Sequence, residues 1–158
     1  MVGVAVIVGV AAKKYALANN ASTQTYKVFE ALIEHMFDDS YCYVTSQLNV
    51  TGYFKAVLSD QRIDIESRNN LINGARWLDE SADETYDKDF ISLSTEQKEA
   101  LLKQVSMLRW GDNWLYKIMG YYFETTFSDP IYGGNVNGAG WKWLEFQPGF
   151  PRPNEVAI

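Results

Sequence analysis

Apolar positions recur every three or four residues over 23–37, where Tyr26, Phe29, Leu32, Ile33 and Met36 form one stripe with Glu30 and Glu34 off it. That spacing predicts an amphipathic helix, stopped by Asp38-Asp39-Ser40. A weaker helical stretch covers about 47–58, with Tyr53, Phe54, Ala56 and Val57 apolar and Gly52 weakening it. A third covers about 64–82 on the stripe Ile65, Leu71, Ile72, Ala75 and Leu78, and an acidic connection follows from Asp79 through Glu84 to Asp87 and Asp89. Ser94-Thr95-Glu96-Gln97 then reads as a capping box, with a hydroxyl and an amide three residues apart satisfying each other's backbone donors. The helix it starts runs through Leu101, Leu102, Val105 and Leu108. Gly111-Asp112 resets the chain, and 113–127 reads as a last helix, apolar on almost every side and therefore central. No stretch alternates with period two for long, so strands are minor at most.

Beyond Asp129 the pattern changes. All four prolines and five of the eleven glycines fall in this tail, together with Tyr132, Trp141, Trp143, Phe146 and Phe150. Rings this dense are costly to leave in water, so the tail is expected to be ordered, irregular structure. The expected architecture is all-α: about five helices with an ordered Gly/Pro/aromatic C-terminal loop. Residues 110–158 hold 12 of the 23 aromatics, including four of the five tryptophans. Large rigid rings serve cores and contact surfaces alike, and both readings stay open.

Residues 2–12 are apolar and uncharged, and Lys13, Lys14 and Ala16-Leu17-Ala18 follow. The run is short of the roughly 20 residues that span a bilayer. Its length suits the apolar part of an export signal with a small-residue cleavage site, although a basic start is missing. A first buried element of the fold is the other reading. Residues 1–18 are therefore set apart as a signal-like segment, and 19–158 as one helical domain, a size that suits a single core.

Composition narrows the chemistry. The formal charge of −6 argues against a nucleic-acid partner, which needs clustered Lys and Arg. With one cysteine (Cys42) and one histidine (His35), the chain cannot form an internal disulfide, a zinc finger, a cysteine-held iron–sulfur cluster or a C-x-x-C-H haem site. His35 near a helix end suits dipole compensation. Asp87-x-Asp89 fails as a calcium loop, because Ile91 and Ser92 stand where a ligand and a glycine are needed. The glycines at 133–140 follow a helix and have neither phosphate-binding spacing. No catalytic, cofactor-binding or metal-ligating residue is assigned.

The most specific text is Phe127-Ser128-Asp129-Pro130-Ile131-Tyr132-Gly133-Gly134-Asn135, then Gly140-Trp141-Lys142-Trp143, then Pro148-Gly149-Phe150-Pro151. Asp-Pro ends a helix, and Gly-Gly-Asn lets the backbone turn sharply. The segment is either a rigid cap on the helical core or a preformed docking loop. It resembles the small subunit (subunit 3) family of membrane-associated gluconate 2-dehydrogenases. Upstream, Asp89 to Ser94 and Glu96-Gln97 through Leu101-Leu102 are similar to the middle of that family. Glu145 stands where the family usually has glycine, and Gln147 interrupts its usual G-F-P-G. The resemblance implies an accessory, noncatalytic subunit without a cofactor of its own. Its implied partners are a large FAD-containing dehydrogenase subunit and a multihaem cytochrome c. It also implies a periplasmic complex at the cytoplasmic membrane and twin-arginine export of the flavoprotein. The expected partner-docking residues are Asp129, Pro130, Tyr132, Gly133, Gly134, Asn135, Trp141 and Trp143. A transient export chaperone and a free-standing aromatic-pocket domain are the alternatives.

Overall fold

A computed structural model describes residues 21–38 and 44–154. The signal-like segment 1–18 and Cys42 lie outside the described residues. Among those described, six α-helices and no strands occur, in agreement with the all-α expectation. They are α1 (Thr23–Met36), α2 (Val50–Ser59), α3 (Ile65–Tyr86), α4 (Thr95–Ser106), α5 (Arg109–Phe127) and α6 (Ala139–Trp143). Short 3₁₀ turns at Thr45–Gln47, Phe90–Ser92, Pro130–Tyr132 and Val136–Gly138 join them.

The helix starts follow side-chain chemistry. Ser22 and Thr25 form a reciprocal capping box ahead of α1, and Ser94 and Gln97 form the one expected ahead of α4. Asn49 caps α2 by accepting from Gly52 N–H at 2.8 Å, and Asp64 caps α3 by accepting from Ser67 N–H at 2.8 Å. Each of these satisfies a backbone donor that the first turn would otherwise leave open.

Helix α5 sits at the centre, packed against α1, α2, α3, α4 and α6. Its stripe of Trp114, Leu115, Ile118 and Tyr122 is buried. The core around it joins Phe29 of α1 to Phe54 of α2, stacked at 4.3 Å between ring centres. Trp114 donates its indole N–H to the Leu71 carbonyl of α3 at 3.1 Å, so the largest buried side chain carries no unpaired donor. At the far end Tyr122 stacks on Phe37 at 3.9 Å, and its hydroxyl shares a hydrogen bond with Thr45 at 2.8 Å.

Three expectations need correction. The acidic stretch after 78 is not a connection but the last two turns of α3, which continues to Tyr86. Ser81 and Ala82 are buried there while Asp83 and Glu84 face water, as on any amphipathic helix. Gly111-Asp112 does not reset the chain either. The break lies at Met107 and Leu108, and Gly111 is buried in the first turn of α5. It is glycine because any Cβ there would collide with the Val105 carbonyl at the end of α4. The tail, finally, is not irregular throughout: it holds two 3₁₀ turns and α6, which raises the helix count above five.

The close approach of α4 to α5 predicts opposite outcomes for two glycines of one helix. Gly111→Ala is expected to destabilise by about 1–3 kcal/mol through overpacking against backbone. Gly120→Ala, with nothing within 4 Å of the added methyl, is expected to stabilise by about 0.5–1 kcal/mol. Chemical denaturation of the two variants checks the sign of each.

Candidate functional site

The sequence motif after α5 meets a problem common to every helix: its last carbonyls lack intrahelical donors. Ser128 N–H closes one of them by bonding the Glu124 carbonyl at 2.8 Å. Trp141 reaches back from α6 and donates its indole N–H to the Phe127 carbonyl at 2.8 Å. Asn135 donates from Nδ2 to the Ser128 carbonyl at 2.9 Å and accepts Gly140 N–H on Oδ1 at 2.8 Å. Asn135 is fully buried, so both ends of its amide are spent inside the protein. Gly140 in turn lies directly against the Thr126 carbonyl, where a side chain would not fit.

The rest of the motif shapes the path between these anchors. Asp129 caps the 3₁₀ turn Pro130–Tyr132 by accepting Ile131 N–H at 3.0 Å, and Pro130 occupies the first position of that turn. Gly133 ends it with φ 81°, a left-handed conformation that side chains resist. Gly134 is buried, and its carbonyl accepts the Asn49 N–H at 2.9 Å, tying the loop to the start of α2. Farther on, Arg152 folds back over the motif. Its guanidinium bonds Asp129 at 2.9 Å and lies 4.8 Å above the Trp141 ring.

The structure thus divides the eight expected docking residues. Gly134, Asn135 and Trp141 are interior, and Asp129 and Pro130 are half-buried beneath the surface turn. Tyr132, Gly133 and Trp143 reach solvent, Tyr132 only in part.

Tyr132 opens onto a groove of about 710 Å³ between α2 and α5. Tyr53 and Val57 form one wall, Phe123 and Phe127 the other, and Ile131 and Tyr132 close one end. Phe123 and Phe127 stack with ring centres 5.9 Å apart and remain 45% and 44% exposed. At the rim Arg62 grips Asp60 through contacts of 2.7–3.1 Å, and this pairing holds the Asp60 carboxyl down to about 2. Tyr53 donates its hydroxyl to Glu124 at 3.0 Å, and burial, followed by the Glu124 charge, pushes its pKa well up.

Sequence reasoning did not assign Tyr53, Val57, Asp60, Arg62, Phe123 or Glu124 to a site. A signal existed for the aromatic wall. Tyr116, Phe123 and Phe127 form a second stripe on α5, on roughly the opposite face from the buried Trp114, Ile118 and Tyr122. A helix apolar on two faces either lies wholly inside or shows one face to something else.

Elsewhere the described residues contain no group of three or more His, Cys, Asp or Glu that could hold a metal ion. His35 sits in the last turn of α1, with its pKa lowered by burial first and by Lys98 second. Among the described residues no helix is long and apolar enough to cross a membrane.

Two outcomes follow from the motif. Asn135→Ala is expected to cost about 2–4 kcal/mol, since it strands a buried carbonyl and a buried N–H together. Asn135→Asp should do no better, because it keeps an acceptor for Gly140 but turns an oxygen toward the Ser128 carbonyl. Wild-type stability in either variant, measured by denaturant unfolding, would contradict this anchoring role. The second concerns acid. The Arg152 hydrogen bond holds the Asp129 carboxyl below its ordinary value. A depressed folded value gives a contribution that is complete at neutral pH and fades as the pH falls through the carboxylate range. Arg152→Gln should therefore flatten the loss of stability over that acidic window, read from thermal unfolding against pH.

A protein-family model described as gluconate 2-dehydrogenase subunit 3 matches residues 23–149 of this chain. No curated protein and no solved structure matches it.

Proposed function

The chain belongs to the gluconate 2-dehydrogenase subunit 3 family, and from that membership we propose that it is the noncatalytic accessory subunit of an FAD-dependent gluconate 2-dehydrogenase or a related sugar-acid or polyol dehydrogenase. On this reading the large subunit carries the flavin and oxidises the substrate, and a multihaem cytochrome c takes the electrons. The small subunit supports the maturation, export and stability of the flavoprotein in the periplasm, at the cytoplasmic membrane. The family match over most of the chain is the observation that carries the proposal.

Composition supports the division of labour. A chain with one histidine and one cysteine cannot attach haem through C-x-x-C-H, which fits a separate cytochrome c subunit. The geometry supports a docking role near the motif. Asn135, Gly134 and Trp141 hold the loop from beneath, Asp129 and Pro130 set its turn, and Tyr132, Gly133 and Trp143 present it. Tightly anchored loops lose little entropy on association, which favours lasting attachment.

The test is co-expression with the flavoprotein subunit. The expected result is a complex with both chains in equal amounts, flavin absorbance that travels with the large chain, and less folded flavoprotein when this chain is omitted. Flavin or haem held by the isolated chain, or oxidation of gluconate by it alone, would overturn the proposal. A mature active enzyme lacking this chain would instead favour a transient export chaperone.

A further inference from the structure

The groove between α2 and α5 combines an apolar floor with charge that is almost, but not fully, balanced. Asp60 and Arg62 neutralise each other at one rim. At the other rim Glu124 receives only the neutral Tyr53 hydroxyl, and no ion pair among the described residues involves it. Lys117, two turns back on the same helix, bonds Asn70 of α3 instead. The groove therefore offers paired phenylalanines beside a single uncompensated carboxylate.

Three kinds of occupant compete for such a surface. A small molecule needs several converging polar groups to orient it. Here the Tyr53 hydroxyl, Asp60 and Arg62 are engaged and the Gly133 N–H bonds the Pro130 carbonyl, so only Ser128 Oγ, the Tyr132 hydroxyl and the Glu124 carboxylate remain in a mostly apolar groove. A second copy of the chain would bring the same acidic rim and the same net charge of −6, so like charges would meet. A segment of another protein meets neither objection, provided that it is apolar and carries a cation at its edge. The walls are helices whose backbone bonds are internal, so no strand edge is on offer for an extended peptide to join, and an amphipathic helix lying between them is the fitting shape.

We propose that the α2–α5 groove receives an amphipathic helix from another subunit of the assembly, its apolar face on Val57, Phe123, Phe127 and Tyr132, and a lysine or arginine on its flank beside Glu124. This rests on the reading of the chain as a subunit. It goes further in moving the main contact from the loop to the helix pair behind it. The loop then sets the groove's closed end: Asn135 and Trp141 fix the end of α5, and with it the position of Phe127.

The experiment measures binding of the purified large flavoprotein subunit to full-length chains at several salt concentrations. Phe123→Asp and Phe127→Asp, both at exposed rings, are expected to weaken binding about tenfold or more. Glu124→Gln keeps the Tyr53 hydrogen bond but removes the charge, so it should weaken binding severalfold and flatten its salt dependence. Phe150→Asp, at a ring 88% exposed outside the groove, should bind as wild type does. Helical circular dichroism and unchanged melting temperatures establish that each variant folds. A photo-crosslinking residue at position 127 should join this chain to the large subunit.

If wild type binds and the groove variants bind equally well, the groove assignment is wrong and the subunit reading stands. If wild type does not bind the large subunit at all, the subunit reading fails and the groove assignment fails with it. Crosslinks from position 127 to a second copy, or displacement of a bound small molecule from wild type, would also overturn the assignment.

Discussion

The carbonyl end of α5 is the constraint on which the functional half of the molecule depends. A central helix that stops within the protein leaves backbone acceptors facing its neighbours, and buried acceptors without donors cost about 1–3 kcal/mol each. The chain meets that cost with one asparagine and one indole, contributed from residues 135 and 141. The glycines around them follow from the geometry this requires. Gly133 turns the chain back, Gly134 lets it pass close to α2, and Gly140 lets α6 lie against the Thr126 carbonyl. The same closure aims Phe127 outward beside Phe123 and gives the groove its firm end.

Which parts of this were legible in the sequence follows from where the information lies. The Ser94 to Gln97 capping box was readable because both partners sit within one turn, and the structure forms it. The α1 stripe was readable because a helix half in water separates its residues cleanly. The length of α3 was not, since the solvated face of a helix is written in the same Asp and Glu as a loop, and only Ser81 and Ala82 betray the buried side. Gly111 misled for the opposite reason. A glycine that breaks a helix and one that admits a neighbour's backbone look identical until the neighbour is in place.

The motif after α5 shows the same limit at the level of function. Its residues were recognisable as special, but the sequence could not say whether they faced inward or outward. Asn135 and Trp141, the most distinctive of them, spend their hydrogen-bonding groups on the backbone of this same chain. Tyr132 and Trp143 do not. Within a span of a dozen residues, a family pattern is thus held in place by folding at some positions and left open to solvent at others.

The aromatic excess divides along the same line, which bears on the proposed subunit role. Trp114, Tyr122 and Phe54 fill the core and leave the helices self-supporting. Phe123 packs edge-on against Phe37 and Tyr122, yet nearly half of it and of Phe127 remains in contact with water. Keeping two stacked rings half-exposed carries a standing cost in solubility. A net charge of −6 offsets that cost by holding copies apart, while leaving a basic partner free to approach. On the proposed reading, apolar surface and repulsive charge together favour a complementary partner over a second copy. That combination suits a subunit made separately and then assembled.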